Sequence, residues 1–133
     1  MLVLTRRVGE SIRIGDHVRL TIRGKVRNHY TVAISAPADV SIADDDGLPL
    51  TALRHRLRCK RRYTVALLAG EGLRIGTEVH VLFGEDRYGG TQRVRHGQQV
   101  RVSIHAPRDT PVHREEVYWR IWHQARQRPG RAA

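Results

Sequence analysis

The chain has 133 residues with 24 basic and 13 acidic side chains, and its formal net charge is +11. Such an excess repels itself unless an anion neutralises it, so we expect a polyanionic partner, with nucleic acid as the first candidate. A single Cys59 excludes an internal disulfide, no apolar run reaches the roughly 18 residues of a membrane span, and the eight histidines lack the short paired spacings of a zinc site. These features predict a soluble, cytoplasmic protein without a metal and without a membrane partner.

The first 44 residues alternate apolar and polar side chains, a period of two that is typical of half-buried β-strands. Gly9, Gly15 and the Ala36-Pro37 pair interrupt this alternation and are predicted turns. Five short strands are therefore predicted, in the segments LVLTRR, SIRIG, Val18 to Ile22, Tyr30 to Ile34 and DVSIA.

A leucine-rich segment, LPLTALRHRLR at 48–58, follows the fifth predicted strand. Leu50, Leu53 and Leu57 would share one face of a helix at this spacing. We therefore predict a short helix in a linker at 48–61.

The rest of the chain repeats the pattern of the beginning. GESIRIG at 9–15 returns as GEGLRIG at 70–76, and SAPADVSIADDD at 35–46 returns as HAPRDTPVHREE at 105–116. The offsets of 61 and 70 differ by nine, which places an insertion between the two matches, in the polar and glycine-rich segment at about 84–97. We predict a first repeat at 1–47, a second repeat at 62–128 and a tail at 129–133.

A helix is predicted after the last strand, in REEVYWRIWHQARQ from Arg114. Acidic residues occupy its first turn, Val117, Ile121 and Trp122 recur at helical spacing, and Pro129-Gly130 would end it. The predicted fold class is therefore mainly β with a C-terminal helix. No nucleophile, base and orienting group occur together in the sequence, so we expect neither catalysis nor a cofactor.

These motifs resemble the carbon storage regulator family (CsrA/RsmA), which are bacterial RNA-binding translational regulators. The resemblance rests on MLVLTRRVGESIRIGDHVRLTIRG, on the Ala-Pro turn with its following Asp, and on HAPRDTPVHREEVYWRI. It implies interleaved five-stranded units, with each RNA site built from the first strand of one unit and the fifth strand of the other. It also implies a target with an unpaired GGA, often in a hairpin loop over a ribosome-binding site. Two repeats in one chain would then form a single-chain, monomeric pseudo-dimer.

The resemblance implies one RNA site with all of its contacts present. Its residues are Leu4, Thr5, Arg6 and Arg7 of the first strand, Ala106, Pro107 and Arg108 of a turn, and Val112, His113 and Arg114 of the last strand. The opposite combination, 65–68 with 42–44, has Leu67, Leu68 and Asp44 where the first has arginines, so its local charge is lower by four units. An acidic strand end repels a phosphate backbone, and we therefore predict one working site per chain.

Other interpretations of these residues stay open at this stage. Arg6 and Arg7 fit a solvated strand end, Arg114 fits ordinary first-turn helix chemistry, and the arginine excess fits a GC-rich genome. A second function is a protein-interaction module whose degenerate half, through Leu67 and Leu68, docks a regulatory protein. The same leucines also fit core packing. A small RNA or a protein antagonist is a further expected partner.

Overall fold

The computed structural model describes residues 1–50, 60–84 and 99–126, together with the backbone of 53 and 54. The predicted class is confirmed, since these residues form short strands followed by one helix. The elements are β1 (Leu2–Arg7), β2 (Ser11–Ile14), β3 (Val18–Val26), β4 (His29–Pro37), β5 (Ile42–Asp44), β6 (Leu53–Arg54), β7 (Lys60–Leu68), β8 (Gly72–Ile75), β9 (Val79–Phe83), β10 (Gln99–His105), β11 (Val112–Arg114) and α1 (Glu115–Arg126).

The two repeats exchange their outer strands. The first sheet has the order β1-β10-β9-β8-β5, so β1 and β5 of the first repeat flank three central strands of the second repeat. The second sheet has the order β11-β2-β3-β4-β7, with the two-residue β6 paired to the outer side of β7. All strand pairs are antiparallel. The prediction of two interleaved five-stranded repeats is confirmed.

One hydrophobic core lies between the two sheets. Side chains from both repeats enter the same buried cluster, for example Ile12 and Leu20 from the first and Val81, Phe83 and Val102 from the second. Successive strand residues point to opposite faces, so positions that alternate with these face solvent. Because each sheet contains strands of both repeats, neither repeat can bury its apolar face without the other.

The repeated motif, GESIRIG in the first repeat and GEGLRIG in the second, forms the same turn in both repeats. Gly9 and Gly70 have φ values of 93° and 89°, a region that residues with a Cβ atom rarely adopt. The Gly9 amide donates to the carbonyl of Ile22 at 2.6 Å, and the Gly70 amide donates to that of Phe83 at 2.9 Å. The repeated glycines therefore connect the first two strands of each repeat in one fixed geometry.

The predicted linker helix is not found in the described residues. The Leu50 amide donates to the carbonyl of Ile42 at 2.9 Å, and Leu53–Arg54 pair with β7 as a short strand. The edges of β5 and β7 present unpaired backbone groups, and these bind the linker in an extended conformation in spite of its helical leucine spacing. Residues 51–52 and 55–59, the predicted insertion beyond Gly84, and the predicted helix end at Pro129-Gly130 lie outside the described residues.

The C-terminal helix begins where the acidic residues indicated. Arg114 is the last residue of β11, and Glu115 and Glu116 form the first turn of α1. Within the part of the chain that the structure covers, no helix is long and apolar enough to cross a bilayer.

Candidate nucleic-acid interface

The carboxy-terminal end of β1 lies against the junction of β11 and α1. Only 5% of Arg6 is exposed, and its Nη1 atom donates to the carbonyl oxygen of Ser11 at 3.1 Å and to Glu116 Oε1 at 2.7 Å. Its Nη2 atom lies 3.4 Å from Glu10 Oε2. Arg6 therefore joins a strand of the first repeat to the first helical turn of the second, and this brings β1 next to Arg114.

The two carboxylates that follow Arg114 are both engaged by arginines. Glu115 Oε1 lies 3.0 Å from Nε of Arg13. The hydrogen bond and the positive charge of Arg6 hold the pKa of Glu116 below its usual value, and the charge of Arg114 acts in the same direction. Both acids are thus paired with arginines, so they oppose an approaching phosphate much less than free carboxylates would.

The predicted contact residues differ in how much of each side chain is exposed to solvent. Arg6 points towards the interior, opposite the buried Val100. The exposed residues are Thr5, Arg7, Arg108 and Arg114, and the half-buried residues are Leu4, Ala106, Pro107, Val112 and His113. Leu4 and Val112 pack against the common core.

The predicted contacts fall at two ends of β1. Arg6 and Arg7 lie at the end that meets Glu116 and Arg114. The turn Ala106–Arg108 follows β10 and lies beyond the register pair of Leu2 with Ile104, at the opposite end. Arg6 and Arg7 therefore lie near the start of α1, and the turn Ala106–Arg108 lies apart from them.

The outer edge of β11 has free backbone groups. The Gly15 amide donates to the Pro111 carbonyl at 2.7 Å, and the register then pairs His113 with Arg13. Hydrogen-bonded pairs alternate with non-bonded pairs in an antiparallel ladder, so the backbone groups of Val112 and the amide of Arg114 point away from β2. The Arg114 carbonyl directly precedes α1 and accepts its first helical hydrogen bond. No described residue pairs with this edge. It can therefore accept an external hydrogen-bonding ligand.

The equivalent edge of β5 is closed by the chain itself. The Leu50 amide donates to the Ile42 carbonyl at 2.9 Å, and the Asp44 amide donates to the Leu48 carbonyl at 3.0 Å. The carboxylate of Asp44 accepts hydrogen bonds from the amides of Asp46 and Leu48, both at 2.9 Å. Asp44 thus stabilises a tight turn that folds the chain back onto β5, whereas Arg114 leads into a helix.

The leucines of the degenerate half have different environments. Leu67 stands where the first repeat has Arg6 and is 5% exposed, whereas Leu68 stands where it has Arg7 and is 42% exposed. Leu67 therefore packs in the core, and the two leucines do not form the exposed apolar pair on which a docking site for a regulatory protein would depend.

Asp45 stands in the position of Glu115 and is bonded to residues of the second repeat. Its carboxylate accepts a hydrogen bond from the Gly72 amide at 2.8 Å and lies 2.7 Å from Nε2 of His80. The combination of 65–68 with 42–44 therefore has neither the arginines nor the open strand edge of the predicted RNA site.

Three residues of this interface were not predicted from the sequence. Glu10, Arg13 and Glu116 fix Arg6 and the start of α1 through ion pairs. The spacing of Glu10 four residues after Arg6 was an available signal, because side chains on either side of a tight turn can meet. The pairing of Arg6 with Glu116 crosses the two repeats and has no signal in local spacing.

The interleaved sheets and the open, arginine-bearing strand edge define a mainly β binding protein. The model of CsrA, described as the global regulator protein family, matches residues 1–44 and 93–123, which is more than half of the chain. The chain belongs to the CsrA family. This is a family of regulators and not of enzymes, so the prediction of a non-enzymatic protein is confirmed.

A curated relative supports the same assignment. The chain is similar to the Translational regulator CsrA of Hydrogenovibrio crunogenus (strain DSM 25203 / XCL-2), with 48% identity over 46 residues. The match covers 35% of this chain and 66% of that protein, slightly less than two thirds of its length. No solved structure gives a match to the chain.

Proposed function

We propose that this protein is an RNA-binding post-transcriptional regulator that recognises GGA-containing hairpin loops in mRNA leaders. CsrA-family proteins bind mRNA, which supports this class of target. The observation that carries the proposal is the open backbone edge of β11, next to the exposed Arg114 and within reach of β1. Binding over a ribosome-binding site would modulate translation by blocking access of the ribosome.

The chemistry of this edge suits unpaired bases. Sequence-specific RNA recognition acts mostly on splayed, single-stranded bases whose edges form hydrogen bonds and whose faces stack or pack. The outward backbone groups of Val112 and the amide of Arg114 can bond base edges, and the half-buried Leu4 offers an apolar surface. Arg7 and Arg114 are exposed and can bind phosphates or the O6 and N7 atoms of guanine.

Arg6 acts as a positioning residue in this proposal. Its guanidinium is buried and bonded to Ser11, Glu10 and Glu116, so it holds β1 against α1 and does not face solvent. Loss of Arg6 would separate Arg7 from Arg114. Its effect on RNA binding is therefore indirect.

The chain has one such site in this proposal. The β5 edge is occupied by residues 48–50, and Asp44 replaces the cation. A protein with two sites can bridge neighbouring motifs at a high effective concentration, and a protein with one site cannot. The preferred targets are therefore leaders with a single GGA loop.

The test is a titration of the protein with a GGA hairpin and with the same hairpin carrying CCU in the loop. We expect the CCU loop to bind at least about tenfold more weakly, since one good base contact contributes about 1–3 kcal/mol. Arg114→Ala should weaken GGA binding by a similar factor, and Asp44→Asn, which retains the turn-forming oxygen, should leave it within about twofold. Equal affinity for both loops, or an equal loss in both variants, would contradict the proposal.

A further inference from the structure

A row of polar and basic side chains crosses the outer face of the second sheet. It is continuous from β11 to β7, because each member is the register partner of the next. The pairs are His113 with Arg13, Arg13 with Arg19, Arg19 with Ser35, and Ser35 with Arg62. Residues directly opposite in a sheet share a face, so all of these side chains lie on one surface.

This surface is a groove that faces away from the core. Ile12, Leu20 and Ile34, which alternate with the row along β2, β3 and β4, are each 1% exposed and form the buried side of the sheet. The groove has a volume of about 190 Å³. Arg23 and Lys60 line it in addition to the arginines of the row.

Most of the positive charge in the groove is uncompensated. Arg13 is paired with Glu115. Among the described residues, no hydrogen bond or ion pair involves the side chains of the other four cations, which are Arg19, Arg23, Lys60 and Arg62. Arg13 and Arg19 lie directly opposite each other, and like charges in that arrangement destabilise a sheet. Glu115 offsets the charge of Arg13, so an anion in the groove would chiefly neutralise the other four cations.

The first sheet has a groove of about 260 Å³ with less positive charge, since Arg74 and His80 line it together with Glu78. Its corresponding row contains Arg74, His80 and His105, in register in the same way. Asp45 occupies this surface, since its carboxylate bonds His80 and its backbone carbonyl accepts a hydrogen bond from Arg74 at 3.0 Å. Of the two grooves, the one with several unpaired cations thus lies on the sheet that carries the open β11 edge.

We propose that the groove of Arg13, Arg19, Arg23, Lys60 and Arg62 binds the phosphate backbone of single-stranded nucleotides that flank the hairpin. This inference rests on the proposed function, because the row begins at His113 of β11. Phosphate contacts supply affinity and salt dependence without reading sequence. RNA is favoured over an acidic protein, since the row continues directly from the loop site.

The test compares a minimal GGA hairpin with the same hairpin carrying about six unpaired nucleotides on its 5′ side or on its 3′ side. Affinities are measured between 50 and 300 mM salt, on the order of the range over which counterion release is resolved. One of the two extensions should tighten binding about tenfold. It should also steepen the dependence of log K on log salt by about 0.7 for each phosphate engaged.

Matched variants distinguish the loss of RNA contacts in the groove from a general effect of lower net charge. Arg19→Thr combined with Arg62→Thr should abolish the gain from the extension and leave the minimal hairpin within about twofold of wild type. The control combines Arg27→Asn with Arg61→Thr. It removes the same charge from the turn between β3 and β4 and from the opposite face of β7, and it should retain the gain. Both proteins should keep the wild-type urea midpoint.

The outcomes distinguish this inference from the proposed function. Failure of the minimal hairpin to bind would refute the proposed function, and the inference with it. Tight binding of the hairpin with no gain from either extension would contradict the inference about the groove and leave the proposed function intact. So would an equal loss in the control, or displacement of the extended RNA by polyglutamate as effectively as by unlabelled extended RNA.

Discussion

The guanidinium of Arg6 lies 2.7 Å from the carboxylate of Glu116, although the two residues are 110 positions apart. The bond connects the first strand of one repeat to the helix that follows the last strand of the other. In the opposite combination Leu67 replaces Arg6 and is buried, so packing holds β7 there without an ion pair. The same framework thus supports a polar junction beside the proposed RNA site and an apolar one on the other side.

Glu116→Gln should lower stability at neutral pH by about 1 kcal/mol, because it removes the charge from a partner of the buried Arg6. The pKa of Glu116 is lowered in the folded state. Its stabilising contribution is therefore fully present above the ordinary glutamate pKa and is lost as pH falls through the lowered value. Urea denaturation of both proteins at neutral and acidic pH checks this.

The gap between wild type and Glu116→Gln should close as the pH falls through the acidic range. Glu78→Gln is the control, since Glu78 is exposed and should show no gap at any pH. A gap that persists unchanged when Glu116 is protonated would show that the ion pair is not its cause.

Leu67→Arg should destabilise the protein by about 2–4 kcal/mol, because it places a charge in the core without the glutamate that Arg6 has. Leu68→Arg, at the exposed neighbouring position, should change stability by less than about 0.5 kcal/mol. Thermal unfolding of the two variants compares them directly. Equal tolerance of both would mean that β7 is not held through Leu67.

Gly72→Ala should cost about 1–3 kcal/mol. A Cβ atom at this position would lie 2.5 Å from the Val81 carbonyl oxygen and 3.0 Å from Oδ1 of Asp45. Gly24→Ala is the matched control in another strand, where the nearest atom to a new Cβ is 3.8 Å away. A chemical denaturation series in which Gly24→Ala is the more damaging change would refute this account of the close approach.

Arg7→Ala should weaken hairpin binding and reduce the salt slope by about 0.7, the value for one phosphate contact on a single strand. Leu68→Ala alters the equivalent position of the degenerate half and should change neither. Fluorescence anisotropy at several salt concentrations measures both quantities. Parallel losses in the two variants would indicate that both halves contact RNA.

The strands and the helix start could be predicted because they depend on local periodicity. Val18, Leu20 and Ile22 alternate with polar residues, and they form the interior face of β3. The exchange of strands between repeats has no local signal, and it was expected only from the resemblance to a family. The prediction for the linker was wrong in its described residues, because the hydrogen bond from Leu50 to Ile42 and the pairing of Leu53–Arg54 with β7 outweigh the helical leucine spacing.

The charge arrangement of the site could not be predicted from the sequence alone. Side chains alternate along β1, so Leu4 and Arg6 share a face, but the sequence does not show that this face points inward and that Glu116 meets Arg6 there. The basic row depends on the register of neighbouring strands, since Arg13 and Arg19 become opposite neighbours only after the hairpin forms. Charge composition predicted an anionic partner without indicating which surface would receive it.

The stoichiometry of RNA binding tests the central claim most directly. Native mass spectrometry of the protein with an excess of GGA hairpin should show one hairpin on each chain, because β11 has an open edge and β5 is occupied by residues 48–50. Two hairpins bound with comparable affinity to a single chain would contradict the account.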